Sequence, residues 1–148
     1  IALPYTALPE QLRGIVDPPA ILYAKGNSDH LFQKGIAVIG SRETSDNGIQ
    51  FTNKITAELV DRNLVIISGL ALGIDTTAHQ SCLEKKGKTV AILPSAIDKI
   101  YHSQNKKLVG DILENGGYSY QNMLLEPKPP EKTSSSEIDF KVLFPLAL

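Results

Sequence analysis

Two glycine-bearing turns hold the residue types best suited to chemistry in this chain, and the chemistry they suit is anion binding. In Gly40-Ser41-Arg42 the glycine lets the backbone turn tightly and approach a ligand. The serine offers a hydroxyl, and the arginine presents a planar fork that matches two phosphate oxygens. Backbone N–H groups at the start of a following helix would add to the attraction for an anion. The competing assignment is a plain strand-to-helix turn whose Arg42 is solvated or pairs with Glu43. The second turn is Ser68-Gly69-Leu70-Ala71-Leu72-Gly73-Ile74-Asp75, where small residues leave room for a ligand against the backbone. It is not G-x-G-x-x-G, because only Gly69 and Gly73 are present, and it lacks the Lys-Ser/Thr ending of a P-loop. Neither dinucleotide nor ATP binding follows from it. Asp75 stands where a helix cap is wanted, and a carboxylate beside a phosphate is unfavourable, which argues against a direct contact.

Residues for catalysis are scarcer. His79 lies four positions after Asp75 on the same helix face, an arrangement that favours a structural hydrogen bond over a general base. His30 and His102 are far apart in sequence, and no H-x-x-x-H or H-E-x-x-H spacing supports a metal site. The single cysteine, Cys82, excludes an internal disulfide framework and a thiolate-rich zinc site. Its apolar helical surroundings read as core. No serine sits in G-x-S-x-G, so a hydrolase elbow is unsupported. The expectation is a protein with no catalytic residues, no metal and no cofactor.

The elements that position these turns alternate. The chain has 148 residues and a mass of 16.1 kDa, with 42% hydrophobic and 21% charged residues, which suits one globular domain with a real core. No apolar run approaches the roughly 18 to 20 residues of a membrane-spanning helix. Net charge is −1, so this is no blanket nucleic-acid coat, although a local basic site stays open. No signal-peptide pattern is present, and the expected location is cytoplasmic, without membrane contact. Residues 1–19 carry Pro4, Pro9, Pro18 and Pro19 and read as an irregular arm with at most a short helix near 10–15. Residues 21–24 read as a short strand. Residues 36–39, 64–67 and 89–93 are apolar runs expected as strands buried on both faces. Helical spacing marks 46–62, with Ile49, Phe51, Ile55, Leu59 and Val60 as its inward face. It also marks 75–86, capped by Gly87, and 104–114, with a weak last strand near Tyr118. Strand and helix in alternation predict an α/β fold: a Rossmann-like parallel sheet sandwiched by helices, with a short N-terminal extension. Ligands of such sheets sit beyond the carboxyl ends of the strands, near a reversal of strand order.

These residues also carry a resemblance. Asp17-Pro18-Pro19-Ala20-Ile21-Leu22-Tyr23-Ala24-Lys25-Gly26 resembles the "DPPxxLYxxG" segment of the DprA/Smf family of bacterial DNA-processing proteins. Ala37-Val38-Ile39-Gly40-Ser41-Arg42, with Ser45 and Gly48, is similar to "AIVGSRxxSxYG". Ile67-Ser68-Gly69-Leu70-Ala71-Leu72-Gly73-Ile74-Asp75, with Ala78-His79 after it, matches "VSGLAxGID" and its "AH". Thr89-Val90-Ala91-Ile92-Leu93, Ile97-Asp98, Tyr101 and Asn105 follow "TIAVLGxGxDxxYPxxN". The resemblance implies an extended Rossmann fold and a cytoplasmic single-stranded DNA-binding protein rather than a catalyst. It further implies a homodimer that loads the RecA recombinase on single-stranded DNA during natural transformation. DNA phosphates would then lie against Gly40, Ser41, Arg42, Ser68, Gly69 and Gly73. Pro94-Ser95-Ala96 replaces the family's Gly-x-Gly, His102 replaces its Pro, and the later "FPxRNRIIAGLS" segment is not found.

Two alternatives use the same fold. A nucleotide-binding sensor would hold a small phosphorylated ligand in the same turns. A nucleoside monophosphate hydrolase similar to the LOG group would need "PGGxGTxxE", and Pro94-Ser95-Ala96-Ile97-Asp98 lacks its glycines, threonine and glutamate. The expected organisation is a DNA-binding domain over residues 1–125 and a flexible tail over 126–148. Residues 126–136, rich in Pro, Lys, Glu and Ser, have linker composition. Amide exchange should therefore be fast there and slow in the β/α core, with early proteolysis confined to the same stretch; strong protection across 127–135 would contradict this organisation.

Overall fold

Val65-Ile66-Ile67-Ser68 and Thr89-Val90-Ala91-Ile92-Leu93 carry β-branched or apolar side chains toward both faces, and both become central strands. The computed structural model describes residues 1–93, 105–115 and 118–122. Its strands are β1 (Ala2–Pro4), β2 (Ile21–Gly26), β3 (Gly35–Ala37), β4 (Val65–Ser68), β5 (Thr89–Leu93) and β6 (Tyr118–Asn122), in one sheet of order β1-β2-β6-β5-β4-β3. The four strands from β3 to β6 are parallel, in register Ile36↔Ile66, Ile67↔Val90 and Ala91↔Ser119. β2 runs antiparallel to β6, and β1 antiparallel to β2. Ala2–Pro4, expected as irregular, is thus a strand, held where the Ile1 ammonium donates to the Ala24 carbonyl at 2.7 Å. Isolated from β2, three residues containing a proline carry no strand signal of their own.

The helices are α1 (Glu10–Arg13), α2 (Asp46–Asp61), α3 (Ile74–Glu84) and α4 (Lys106–Glu114). Strand alternation sends Ile66, Ala91 and Leu93 to one face. There Ile66 meets Ala78 and Cys82 of α3, and Ala91 and Leu93 meet Leu108, Val109 and Ile112 of α4. Val65, Ile67 and Val90 point to the other face and pack with Leu8, Leu22 and Ala24, backed by Leu12 of α1. The Rossmann-like α/β fold is as expected, with an asymmetric sandwich: α2, α3 and α4 share one face, and the N-terminal segment covers the other. Parallel strands taken in chain order turn always the same way, so right-handed crossovers stack their helices on one side. No reversal of strand order occurs among these four parallel strands, so a switch point does not mark the ligand edge; the carboxyl edge alone does.

Two side-chain assignments change. The run 36–39 does not lie between two strands, because β3 is an edge strand whose residues are only half-buried or exposed, and Ile39 beyond it is 61% exposed. Helix α2 turns Thr52 and Thr56 inward, while Phe51 is 65% exposed. Small buried residues on both helices, Thr52 and Thr56 of α2 with Ala78 and Ser81 of α3, let them lie close, and the Ser81 hydroxyl donates to the Asn53 carbonyl at 3.2 Å. At the end of α3 the left-handed residue is Lys86 (φ 55°) and not Gly87. The Lys86 and Gly87 amides donate to the Leu83 and Cys82 carbonyls in a Schellman motif. Gly87 is needed for another reason, since a Cβ there would lie 2.6 Å from Val60 and 2.8 Å from the Cys82 sulfur.

His79 is fully buried on α3, and its Nδ1 lies 2.7 Å from the Thr89 hydroxyl, which itself donates to the Ile66 carbonyl at 2.9 Å. Thr89 can then only accept from the ring, which makes His79 a neutral Nδ1–H imidazole. Burial pushes its pKa down to about 4, with a partial offset from the Ser68 backbone. A buried neutral histidine binds its proton more weakly folded than unfolded, so its contribution is complete above the ordinary value of 6.5 and is lost as pH falls toward 4. That shift corresponds to roughly 3 kcal/mol over the window. Denaturant unfolding of the wild type should lose stability between pH 6.5 and 4, and His79→Gln should remove most of that slope.

Candidate anion-binding turns at the carboxyl edge of the sheet

β3 and β4 are adjacent and parallel, so the turns that follow them meet at one edge. Gly40-Ser41-Arg42 comes from β3, and the segment from Ser68 to Gly73 comes from β4. The two turns are locked together by backbone. The Ile74 amide, the first of α3, donates to the Ser41 carbonyl at 3.1 Å. Gly73 sits at φ 83°, and a Cβ on it would run into the Ser41 and Arg42 backbone. Only glycine satisfies both the positive φ and the close approach. The spacing of six residues between Ser68 and Ile74 therefore has a local cause.

Asp75 completes the lock, and not as a helix cap. Gly73 occupies the cap position of α3 without a side-chain bond. The Asp75 carboxylate reaches back, accepting from the Gly69 amide at 3.1 Å with one oxygen and from the Gly40 amide at 3.4 Å with the other. Gly69 makes room for it, since a Cβ there would lie 2.9 Å from Oδ2. Asp75 is only 6% exposed. Burial raises its pKa, partly offset by hydrogen bonds from the Gly69, Ala71 and Gly40 amides. The sequence placed a carboxylate at this spot but gave it the wrong task, because its two partners lie 6 and 35 positions away.

A third element joins through Asn105, just before α4. Its side-chain amide donates to the Leu70 carbonyl at 2.7 Å, and its Oδ1 lies 3.4 Å from the Thr76 hydroxyl. Asn105 is 3% exposed, and Leu70 holds a left-handed φ of 59°. The asparagine stands in a quoted motif, yet sequence reasoning assigned it no role; the signal was a polar residue directly ahead of an apolar helix.

The six residues singled out from sequence thus come together, in different roles. Arg42 is exposed on the first turn. Ser41 is exposed, and its hydroxyl donates to the Glu43 carbonyl at 2.6 Å and accepts from the Glu43 amide at 3.2 Å. Ser68 is 2% exposed and donates to the Val38 carbonyl at 2.7 Å, tying β4 to the end of the edge strand. Gly40, Gly69 and Gly73 supply close approach. Amides at both helix starts have partners within the protein: Ser45 caps α2 by accepting from the Gly48 amide at 3.2 Å, and in α3 the Ile74 and Thr76 amides donate to the Ser41 and Ala71 carbonyls. Among the described residues of the two turns, the group suited to pair with an anion is the exposed Arg42 guanidinium. A separate groove between α3 and α4, lined by Gln80, Glu84, Lys107 and Asp111, includes none of the six. Among the described residues no group of three or more His, Cys, Asp and Glu side chains could hold a metal ion, and no helix is long and apolar enough to cross a membrane.

Comparison with known proteins bears on the family and the fold. Residues 3–133 match the family model for DNA recombination-mediator protein A. The chain is 43% identical over 100 residues to DNA processing protein DprA of Streptococcus pneumoniae, covering 68% of this chain and 35% of that protein. It is 40% identical over 112 residues to protein Smf of Synechocystis, covering 73% of this chain and 28% of that one. The X-ray structure of the S. pneumoniae protein aligns with a TM-score of 0.76 at 35% identity, over 83% of this chain and 44% of that one. The Helicobacter pylori DNA processing protein A, described for its single-stranded DNA binding mode, aligns with a TM-score of 0.72 at 30% identity, over 84% and 56%. The chain spans about a third of the length of these two curated relatives.

Gly73→Ala tests the lock. The substitution imposes both a strained φ and a backbone clash, and each is destabilising. The thermal midpoint should fall by several degrees, the equivalent of about 2 kcal/mol or more. Gly110→Ala on α4, where a Cβ meets nothing within 4 Å, should instead be neutral or slightly stabilising.

Proposed function

Since this chain belongs to the DNA recombination-mediator protein A family, we propose that it binds the phosphate backbone of single-stranded DNA at the turns after β3 and β4. The observation that carries the reading is the convergence of Gly40-Ser41-Arg42 on the Ser68-to-Gly73 turn, with the Arg42 side chain left exposed at the sheet's carboxyl edge. A guanidinium on a rigid turn recognises a phosphodiester by a paired hydrogen bond and leaves the bases free, which gives binding without sequence preference. The H. pylori relative, described as binding single-stranded DNA, supports the same ligand.

A binding role, rather than catalysis, fits the state of the titratable groups. His79 is neutral and buried, the Cys82 thiol is pushed up to about 12 by burial, and Asp75 is engaged by the two turns. None is presented as a nucleophile or base. Within this reading the protein acts as a cytoplasmic homodimer that passes single-stranded DNA to the RecA recombinase. The six residues Gly40, Ser41, Arg42, Ser68, Gly69 and Gly73 form its phosphate site, with Arg42 as the contact and the others as its support.

Fluorescence anisotropy with labelled oligo-dT across a salt series tests the reading. Arg42→Ala should weaken every oligonucleotide to a similar degree and flatten the slope of log affinity against log salt by about 0.7, with the thermal midpoint nearly unchanged. Arg42→Lys should recover part of the affinity, because a point charge replaces the fork. An unchanged slope with a lowered midpoint would make Arg42 a structural residue. Competition by mononucleotides at micromolar concentration would favour a nucleotide sensor in the same turns.

A further inference from the structure

The amides of Gly40 and Gly69, two of the six site residues, are turned toward a carboxylate of the protein itself. Asp75 accepts one with each oxygen. These amides are thus not the donors that meet an incoming phosphate. The carboxylate instead fixes the backbone of both turns from beneath, directly ahead of Ser41 and Arg42 in one case and of Leu70 in the other. Arg42 has a long, rotamer-rich side chain on an exposed turn, so the direction in which it leaves the backbone decides how much entropy is lost on pairing with a phosphate.

We infer that Asp75 is a positioning residue for nucleic-acid binding: its ionised carboxylate holds the Gly40 and Gly69 amides so that Arg42 is presented to a backbone phosphate. The inference rests on the phosphate reading of these turns and assigns Asp75 no contact with DNA. Two accepting oxygens are needed at once, and only the carboxylate has them. A protonated acid or an asparagine keeps one good acceptor and places a donor against the second amide, so one turn is released. Burial raises the pKa of Asp75 above the ordinary carboxylate value, so its charge is lost at a higher pH than that of an exposed aspartate. The groups that act on the Asp75 carboxyl are the Gly69, Ala71 and Gly40 amides and the Ser68 hydroxyl, none of them titratable, and His79 is the other perturbed group on α3. His79 titrates in the acid range as well, so the comparison of wild type with Asp75→Asn, and not either profile alone, isolates the carboxylate.

Three measurements on the chain test this. In wild type, NMR resonances of the Gly40 and Gly69 amides should move together with one titration as pH is lowered, and should lose that transition in Asp75→Asn. Independent movement, or none, would overturn the clamp. At neutral pH, Asp75→Asn should weaken oligo-dT binding about tenfold, and by less than about twofold in an Arg42→Ala background, because the two residues act through one turn. An equal loss in both backgrounds would overturn the positioning role. With acidification, wild-type affinity should fall toward that of Asp75→Asn over the range where circular dichroism shows both folded; parallel profiles would also overturn it. If Arg42→Ala leaves binding unchanged, the phosphate reading falls and the presentation role with it. The amide titration separates that outcome from a failed clamp, since it involves no DNA.

Discussion

One buried carboxylate joins the two parts of this protein on which its proposed function depends. Asp75 accepts the amides of Gly40 and Gly69, which belong to turns after different strands. An ionised group in a site this closed is unfavourable unless hydrogen bonds replace its hydration. Here the backbone replaces it, and in return two turns that would otherwise be independent loops become one body. Gly73 against the Ser41 and Arg42 backbone, and the Ile74 amide on the Ser41 carbonyl, repeat the coupling a few residues away. The Asn105 side chain extends it to the start of α4 through the Leu70 carbonyl. Three crossovers of the sheet are thereby pinned at the same edge.

That arrangement engages most polar groups of the two described turns in bonds within the protein. Ser68 faces the end of the edge strand, Ser41 folds onto Glu43, Ser45 caps α2, and the first amide of α3 is taken by the Ser41 carbonyl. Among the described residues of these two turns, the Arg42 guanidinium is the exposed cation. Such a site suits a repeating, sequence-independent feature such as a phosphodiester backbone, where recognition comes from charge and paired geometry. The remaining titratable groups of the core do structural work: His79 bridges α3 to Thr89 of β5, and the Cys82 sulfur lies 3.4 Å from the Lys88 carbonyl.

The helical layer shows the same economy on a larger scale. Parallel strands in chain order place α2, α3 and α4 on one face, so the other face depends on the N-terminal segment, with Leu8 packed on Leu22, Val65 and Ile67. β3 ends the sheet, leaving Ile39 exposed beyond it, and Phe51 of α2 is exposed in turn. Apolar residues there do not pack inward because the inward face of α2 is built from Thr52 and Thr56, which admit α3 closely.

The sequence by itself determined the alternation of strands and helices, the α/β class, and the two glycine-bearing turns that meet at the carboxyl edge. Those signals are local: a run of β-branched residues, a helical period, a glycine where a strand hands over to a helix. It also placed Cys82 in the core, since it had no partner at motif spacing, and favoured a structural bond for His79. Only the tertiary structure decided that β3 lies at an edge, that Ala2–Pro4 is a strand, and which side of α2 is buried, because each depends on neighbours distant in the chain. The same holds for Asp75. Its position one residue into α3 resembles a helix cap in sequence, and its real partners are backbone amides, which leave no trace in residue identity. Backbone donors become visible only when the strands that carry them are brought side by side.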